Sequence, residues 1–526
     1  MALKGRTAFR IGVAVVGIGI LAWSQFRHHQ DASPPAAETA ATKPAAKAQP
    51  PAKPKTWKLG AVTLTQCDLA QPNSGASTPA WCSDFPVPEN RVDPHSRTIK
   101  LRVAVLRSDA QVASKDMLVF LAGGPGQAAT DSASQIAMML QPLLAHRDVL
   151  LVDQRGTGGS NALTCKDSDE DTPTAGDGDA LNADKMRRDA AACAKQLSDR
   201  ADPRFYTTTI AIQDLEDIRT ALGSPSFDLI GVSYGTRVAQ QFLMRYPDAV
   251  RSVVLDSAVP NTAALGEDFA RNLDDALKAQ FARCTAQPAC KKQFGDPDQT
   301  LYQLRDALKA NPHEVSFRDP QTYQTVKRVL NENSLAGVVR MFAYTPQTAA
   351  LLPLSIDAAA HGDVGPLLGQ AKILSTDLAE LAGSGMQYSV ICSEDADLLK
   401  PRPQDADTIL GTRLIDSLKA VCSVWPKGAR PADFHQPVKS DKPVLLLAGQ
   451  YDPVTPPRYA REIAKGLSNS RVLVFNGQAH SVMMAGCGRE LVQHFVEKLD
   501  PKTLDASCLK RLKPTPIFID FNGATP

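Results

Sequence analysis

The apolar positions change their period along the chain, and each change marks a different kind of element. Residues 99–106 (IKLRVAVL) alternate apolar and polar side chains over their first half, the two-residue period of a half-buried strand. Residues 117–121 (MLVFL), 149–152 (VLLV), 227–232 (FDLIGV) and 253–255 (VVL) are short runs with little polar interruption. Strands buried on both faces read this way, because helices cover both sides of a parallel sheet. Two of the runs end in glycine-rich turns, at 122–126 (AGGPG) and 153–160 (DQRGTGGS), and a third leads into Ser233.

Over residues 261–430 strand-like runs all but disappear. Phe269, Leu273, Leu277 and Phe281 recur at helical spacing, as do Leu301, Leu304 and Leu308. Further helical stretches are predicted over 334–343, 367–382 and 413–424. Sheet signals resume at 443–448 (PVLLLA) and 471–475 (RVLVF). One account covers this: an α/β fold, with a mostly parallel sheet flanked by helices and built from two pieces, 57–260 and 433–510. A mainly helical cap, 261–432, is inserted between them, and residues 511–526 form a tail.

The front of the chain reads differently. Lys4, Arg6 and Arg10 precede an apolar run over residues 11–23, the order expected of a signal segment. Residues 1–24 are read as a signal peptide, or as a signal anchor holding the protein to a membrane through 11–23. Residues 25–56, rich in Ala, Pro and Lys, read as a disordered linker. Ten cysteines in an exported chain favour disulfides, and pairing each with its sequence neighbour is the simplest connectivity. Periplasm, cell envelope or the medium is the expected location.

Charge narrows the partners. Lys and Arg total 58 against 56 for Asp and Glu, and much of the excess lies before residue 59, leaving no basic stripe for nucleic acid. Neither C-x-x-C nor H-E-x-x-H occurs, so no metal or other cofactor is expected.

Gly231-Val232-Ser233-Tyr234-Gly235 is a G-x-S-x-G closing an apolar run and opening a helix predicted over 234–246. On that sharp strand-to-helix turn a serine is exposed as a nucleophile. A serine hydroxyl needs an imidazole to take its proton, and the imidazole needs a carboxylate to hold its tautomer. Asp452 follows the 443–448 run and His480 follows the 471–475 run, giving the chain order Ser…Asp…His. Ser233, Asp452 and His480 are therefore the expected triad. The oxyanion donors are expected to be the backbone N–H of Tyr234 and that of Gly124, in the glycine loop after an earlier strand.

With these residues in view, the chain resembles the prolyl and tripeptidyl aminopeptidases among the α/β-hydrolases, the exported tripeptidyl type most of all. The resemblance runs over residues 60–510 and rests on Gly123-Gly124-Pro125-Gly126-Gln127, Asp153-Gln154-Arg155-Gly156-Thr157-Gly158, Gly231-Val232-Ser233-Tyr234-Gly235-Thr236, Asp256, the Asp452 loop and Gly477-Gln478-Ala479-His480. It implies removal of one or a few residues from free peptide N-termini, without a cofactor. Prolyl aminopeptidases carry His before the GGPG, where this chain has Ala122, which argues against strict proline selectivity. In that family the cap supplies acids that hold the substrate ammonium; Glu394 and Asp395 are the matching candidates, beside the alternative of a solvated acidic turn. An exported carboxylesterase or lactonase with the same triad, and a non-catalytic binding protein on a hydrolase scaffold, are the competing readings.

Overall fold

The computed structural model describes residues 54–72, 75–165, 182–320, 322–369 and 385–523. The signal segment, nearly all of the linker and most of the helix expected over 367–382 lie outside these residues. Among the described residues no helix is long and apolar enough to cross a membrane.

Ten strands form one sheet: β1 (Thr56–Leu59), β2 (Val62–Ala70), β3 (Ser77–Pro88), β4 (Thr98–Leu106), β5 (Met117–Leu121), β6 (Val149–Val152), β7 (Phe227–Val232), β8 (Val250–Asp256), β11 (Val444–Gly449) and β12 (Ser470–Phe475). Between β8 and β11 in the chain lies a separate hairpin, β9 (His313–Arg318) and β10 (Thr325–Leu330). The sheet order is β1-β2-β3-β4-β6-β5-β7-β8-β11-β12. The first four strands and the β4–β6 pair are antiparallel. From β6 to β12 every neighbouring pair is parallel.

The unbroken apolar runs have a direct cause. Leu229, Val253 and Leu446 point into one hydrophobic core, while Ile230, Val254, Leu445 and Leu447 point into another across the sheet. Helices Thr208–Leu222 and Tyr234–Arg245 cover the first face through Ile212, Leu215, Val238 and Phe242. Helices Ala133–Met139 and Gly488–Lys498 cover the second through Ile136, Leu491 and Phe495. The one carboxylate buried inside β7, Asp228, is paired with Arg251 and Ser252 of β8.

Two features differ from the expectation. Three antiparallel strands, β1 to β3, precede the first predicted strand. The inserted segment also contains the β9–β10 hairpin, where strand-like runs were not expected. Its burial explains the miss: in β9 only Phe317 is buried and in β10 only Leu330, so the apolar signal in either strand is too short to stand out. Among the described residues the rest of the insertion is mainly helical, and Leu273, Leu277, Phe281, Leu301 and Leu308 belong to a core of its own.

All five disulfides join sequence neighbours: Cys67–Cys82, Cys165–Cys193, Cys284–Cys290, Cys392–Cys422 and Cys487–Cys508. The described end of the chain folds back, with Ile517 buried against Cys284, Phe294 and Leu354 of the insertion.

Candidate active site

Ser233 stands between the last residue of β7 and the helix Tyr234–Arg245, with φ at +55° and ψ at −123°. A non-glycine residue in this region costs of order 1–3 kcal/mol and persists only where the surroundings hold it. Here they do. The Ser233 N–H donates to the Asp256 carbonyl at 3.0 Å, and the Ser233 carbonyl accepts from the Thr236 N–H at 2.9 Å and its hydroxyl at 2.6 Å. The flanking glycines are required by contact: a Cβ on Gly235 would stand 2.0 Å from the Leu121 carbonyl oxygen, and one on Gly231 2.5 Å from that of Gly235.

The loop after β5 lies directly against this turn. A Cβ on Gly123 would come within 3.3 Å of Ser233 Cβ. Gly124 follows at φ +105°, a conformation that favours glycine. Neither the Gly124 nor the Tyr234 N–H has an acceptor among the described residues, so both stay available as donors. The Asp153 carboxylate orders the neighbouring loop, accepting from the Thr130 N–H and hydroxyl and from the Gly159 N–H. Arg155 is buried and bound to Asp214 and three backbone carbonyls, a purely structural set of contacts.

Asp452 and His480 come together at the ends of β11 and β12. His480 Nδ1 lies 2.8 Å from Asp452 Oδ2. A carboxylate only accepts, so Nδ1 carries the proton and Nε2 is left free to accept one. Asp452 Oδ1 accepts from the Val454 and Thr455 N–H groups, and Oδ2 also accepts from the Thr455 hydroxyl. Burial alone would push this carboxyl up. The His480 charge and these hydrogen bonds outweigh it, leaving the group below the usual carboxylate range. His480 responds in reverse: burial would lower it, and Asp452 holds it above the ordinary imidazole value of 6.5.

Ser233 and His480 make no direct hydrogen bond. Asp256, the last residue of β8, is what connects their loops. Its carbonyl takes the Ser233 N–H, and its carboxylate takes the N–H groups of Val482 and Met483 at 2.9–3.0 Å. Burial pushes the Asp256 carboxyl up to about 6, against the hydrogen bonds that favour its charge.

Glu394 and Asp395 lie at the end of helix Gly385–Glu394 and are both fully buried rather than part of a solvated turn. Asp395 pairs with buried Arg237 at 2.8 Å and accepts from the Leu265 N–H. Glu394 forms no ion pair among the described residues; its carboxylate accepts from the Thr208 N–H at 2.6 Å and hydroxyl at 2.9 Å. The Thr208 hydroxyl, having given its proton to Glu394, accepts in turn from the Tyr234 phenol at 2.6 Å. Burial pushes the Glu394 carboxyl up to about 8, with the nearby Arg237 charge opposing.

Sequence reasoning missed Thr208 and Arg237, whose carboxylate partners lie 186 and 158 residues further along the chain. Thr455 was legible in principle, since Asp-Pro-x-Thr is a turn in which an aspartate binds its own following N–H groups. Met483 is buried in the core beneath the sheet, whereas Met484 is exposed. A cavity of about 520 Å³ is lined by Asp452, Asn272, Gln450, Arg458 and Arg461 among others; neither Ser233 nor His480 lines it. Among the described residues no three His, Cys, Asp or Glu side chains are grouped as metal ligands.

A doubly covered parallel sheet, a serine on a strained strand-to-helix turn and an acid–histidine pair on two later strand ends define a class. The chain belongs to the alpha/beta hydrolase fold family, whose profile matches residues 116–486. Over 459 residues it is 24% identical to the serine protease Hip1 of Mycobacterium tuberculosis, covering 82% of this chain and 87% of that protein. Over 480 residues it is 24% identical to the tripeptidyl aminopeptidase of Streptomyces coelicolor, covering 83% of this chain and 84% of that protein. Among solved structures, the proline iminopeptidase of Mycobacterium smegmatis aligns with a TM-score of 0.40 at 17% identity, over 80% of this chain and 99% of that one. Family and relatives together make the chain a serine hydrolase.

With His480 as the expected general base, the Asp452–His480 geometry predicts a pH dependence. A general base must be neutral, and a raised imidazole stays protonated to higher pH. The acidic limb of kcat/KM on a neutral aryl ester should therefore have its midpoint above the ordinary 6.5. Asp452→Asn removes the charge that raises it and should move the midpoint down, as a pH titration of both proteins will read.

Proposed function

We propose that this protein is a serine exopeptidase that hydrolyses amino acids or short peptides from free peptide N-termini. Ser233 Oγ attacks the scissile carbonyl while His480 Nε2 takes its proton and Asp452 steadies the imidazolium. The Gly124 and Tyr234 N–H groups face the oxyanion, His480 returns the proton to the leaving amine, and water hydrolyses the acyl-enzyme. The names of the two curated relatives support a peptidase, and the disulfides support an exported one.

The observation that carries the exopeptidase reading is Glu394. A buried carboxylate that forms no ion pair costs free energy to ionise even with the Arg237 charge nearby, and its raised pKa follows from that cost. A substrate ammonium is the cation that would relieve it. The Glu394–Thr208–Tyr234 chain ends one residue from the nucleophile, which suits an enzyme that measures its cut from the N-terminus. Asp395 already has Arg237, so we assign it to holding that arginine beside the ammonium site.

The test is kcat/KM on matched chromogenic peptides, free or acetylated at the N-terminus. Acetylation should cost about 10–100-fold, the worth of a hydrogen bond to a charged group, and Glu394→Gln should erase most of that difference. If acetylated and free peptides are cut alike while an aryl ester reacts fastest, the protein is an esterase. Glu394 is then only a support for Thr208 and Tyr234.

A further inference from the structure

The segment that carries the base is held by four consecutive backbone N–H groups. Those of Val482 and Met483 go to the Asp256 carboxylate, and that of Ser481 to the Ser257 hydroxyl at 2.8 Å, all at the end of β8. The fourth, from His480 itself, donates at 3.0 Å to the carbonyl of Tyr344. Tyr344 belongs to the helical insertion, two residues past the end of helix Glu332–Phe342. Its ring meets the imidazole edge-on, with centroids 5.3 Å apart and planes at 74°. Ser481 has φ at +64°, a left-handed conformation that lasts only while its neighbours enforce it. The base therefore rests on the sheet from one side and on the insertion from the other.

We propose that Tyr344 is a positioning residue for His480, and that through it the inserted segment is part of the catalytic apparatus as well as a cover. The proposal rests on His480 being the base. Two observations on the far side of Tyr344 show that its own place is enforced. Thr345 caps the short helix Pro346–Ala349, and the Thr348 hydroxyl reaches back to the Phe342 carbonyl at 2.7 Å. Phe342 and Ala343 are buried in the core of the insertion. A ring carried on this anchored backbone packs against an imidazole that also bonds Asp452 Oδ2 and the Thr455 hydroxyl. Removing that ring leaves the backbone bond but frees the imidazole to tilt away from the nucleophile. Displacements of about 1 Å at a reacting group cost on the order of 10²-fold.

The experiment compares wild type with Tyr344→Ala, Tyr344→Phe and Ser233→Ala, using both a free-amine peptide and a small aryl ester, with melting curves alongside. A positioning role predicts that Tyr344→Ala lowers kcat on both substrates by a similar factor of 10 or more. KM for the ester should stay within twofold, and Tm within a few degrees. Tyr344→Phe, which keeps the ring, should recover wild-type kcat within twofold. An ester kcat unchanged in Tyr344→Ala overturns the inference, as does a loss confined to peptide KM, which marks a wall of the substrate site. So does an equal loss in Tyr344→Phe, which assigns the effect to the hydroxyl. Ester hydrolysis that survives Ser233→Ala overturns the triad reading instead, and so separates the two failures.

Discussion

Ser233→Ala should lower kcat/KM by on the order of 10⁴–10⁶-fold on every substrate, with almost no change in melting temperature. On the proposed mechanism the rate falls because the side chain forms the acyl-enzyme and nothing beside it can replace it. Thr236 and Ser257 are buried, with their hydroxyls committed to the Ser233 carbonyl and to the Ser481 N–H donor. The fold is spared because the turn is held through the main chain, by the Asp256 carbonyl and the Thr236 bonds, which alanine retains. Alanine also accepts φ of +55° about as poorly as serine does, so the strain is unchanged. A fluorophosphonate probe should label wild type and leave the variant untouched. Hydrolysis persisting at the wild-type rate would remove Ser233 from the chemistry.

Gly449→Ala should be the most damaging single methyl near the site. Gly449 is the last residue of β11, and a Cβ there would stand 1.7 Å from the Ala479 carbonyl oxygen and 2.7 Å from its carbon. Both atoms are backbone, so no side chain can turn aside; the main chain before His480 must retreat by more than an ångström. That chain is tied down on the same side, since the Tyr451 N–H donates to the Gln478 carbonyl at 2.8 Å and the Gly477 N–H to the Gln450 side chain. Overpacking of this kind costs about 1–3 kcal/mol, and the displaced histidine adds about 10²-fold in rate. A melting curve together with kcat/KM on an aryl ester will measure the two effects. A variant with wild-type activity and stability would mean that the two strand ends are looser than these contacts imply.

Much of the fold could be read in advance. The strands at 117–121, 149–152 and 227–232 fall where their apolar runs lie, because a strand covered on both faces is apolar at nearly every position. The hairpin at 313–330 and the strands before residue 98 were not legible. Their faces are partly solvated, so their patterns blend into those of loops. The disulfide partners followed from proximity along the chain alone.

The same division runs through the site. Chemistry confined to one turn or one strand end was determined by the sequence. A G-x-S-x-G at the end of an apolar strand dictates the bend at Ser233, and loops after β11 and β12 carry an acid and a histidine in the right order. Tertiary structure alone decided what surrounds them. It set Asp256 to join the nucleophile's turn to the histidine's loop, and it gave Asp395 an arginine while leaving Glu394 with only hydroxyl and amide donors. It also brought Tyr344 from the insertion onto His480. The reason is physical: a buried charge or ring takes its properties from whichever groups packing brings within a few ångströms, and those groups lie scores to hundreds of residues away in the chain.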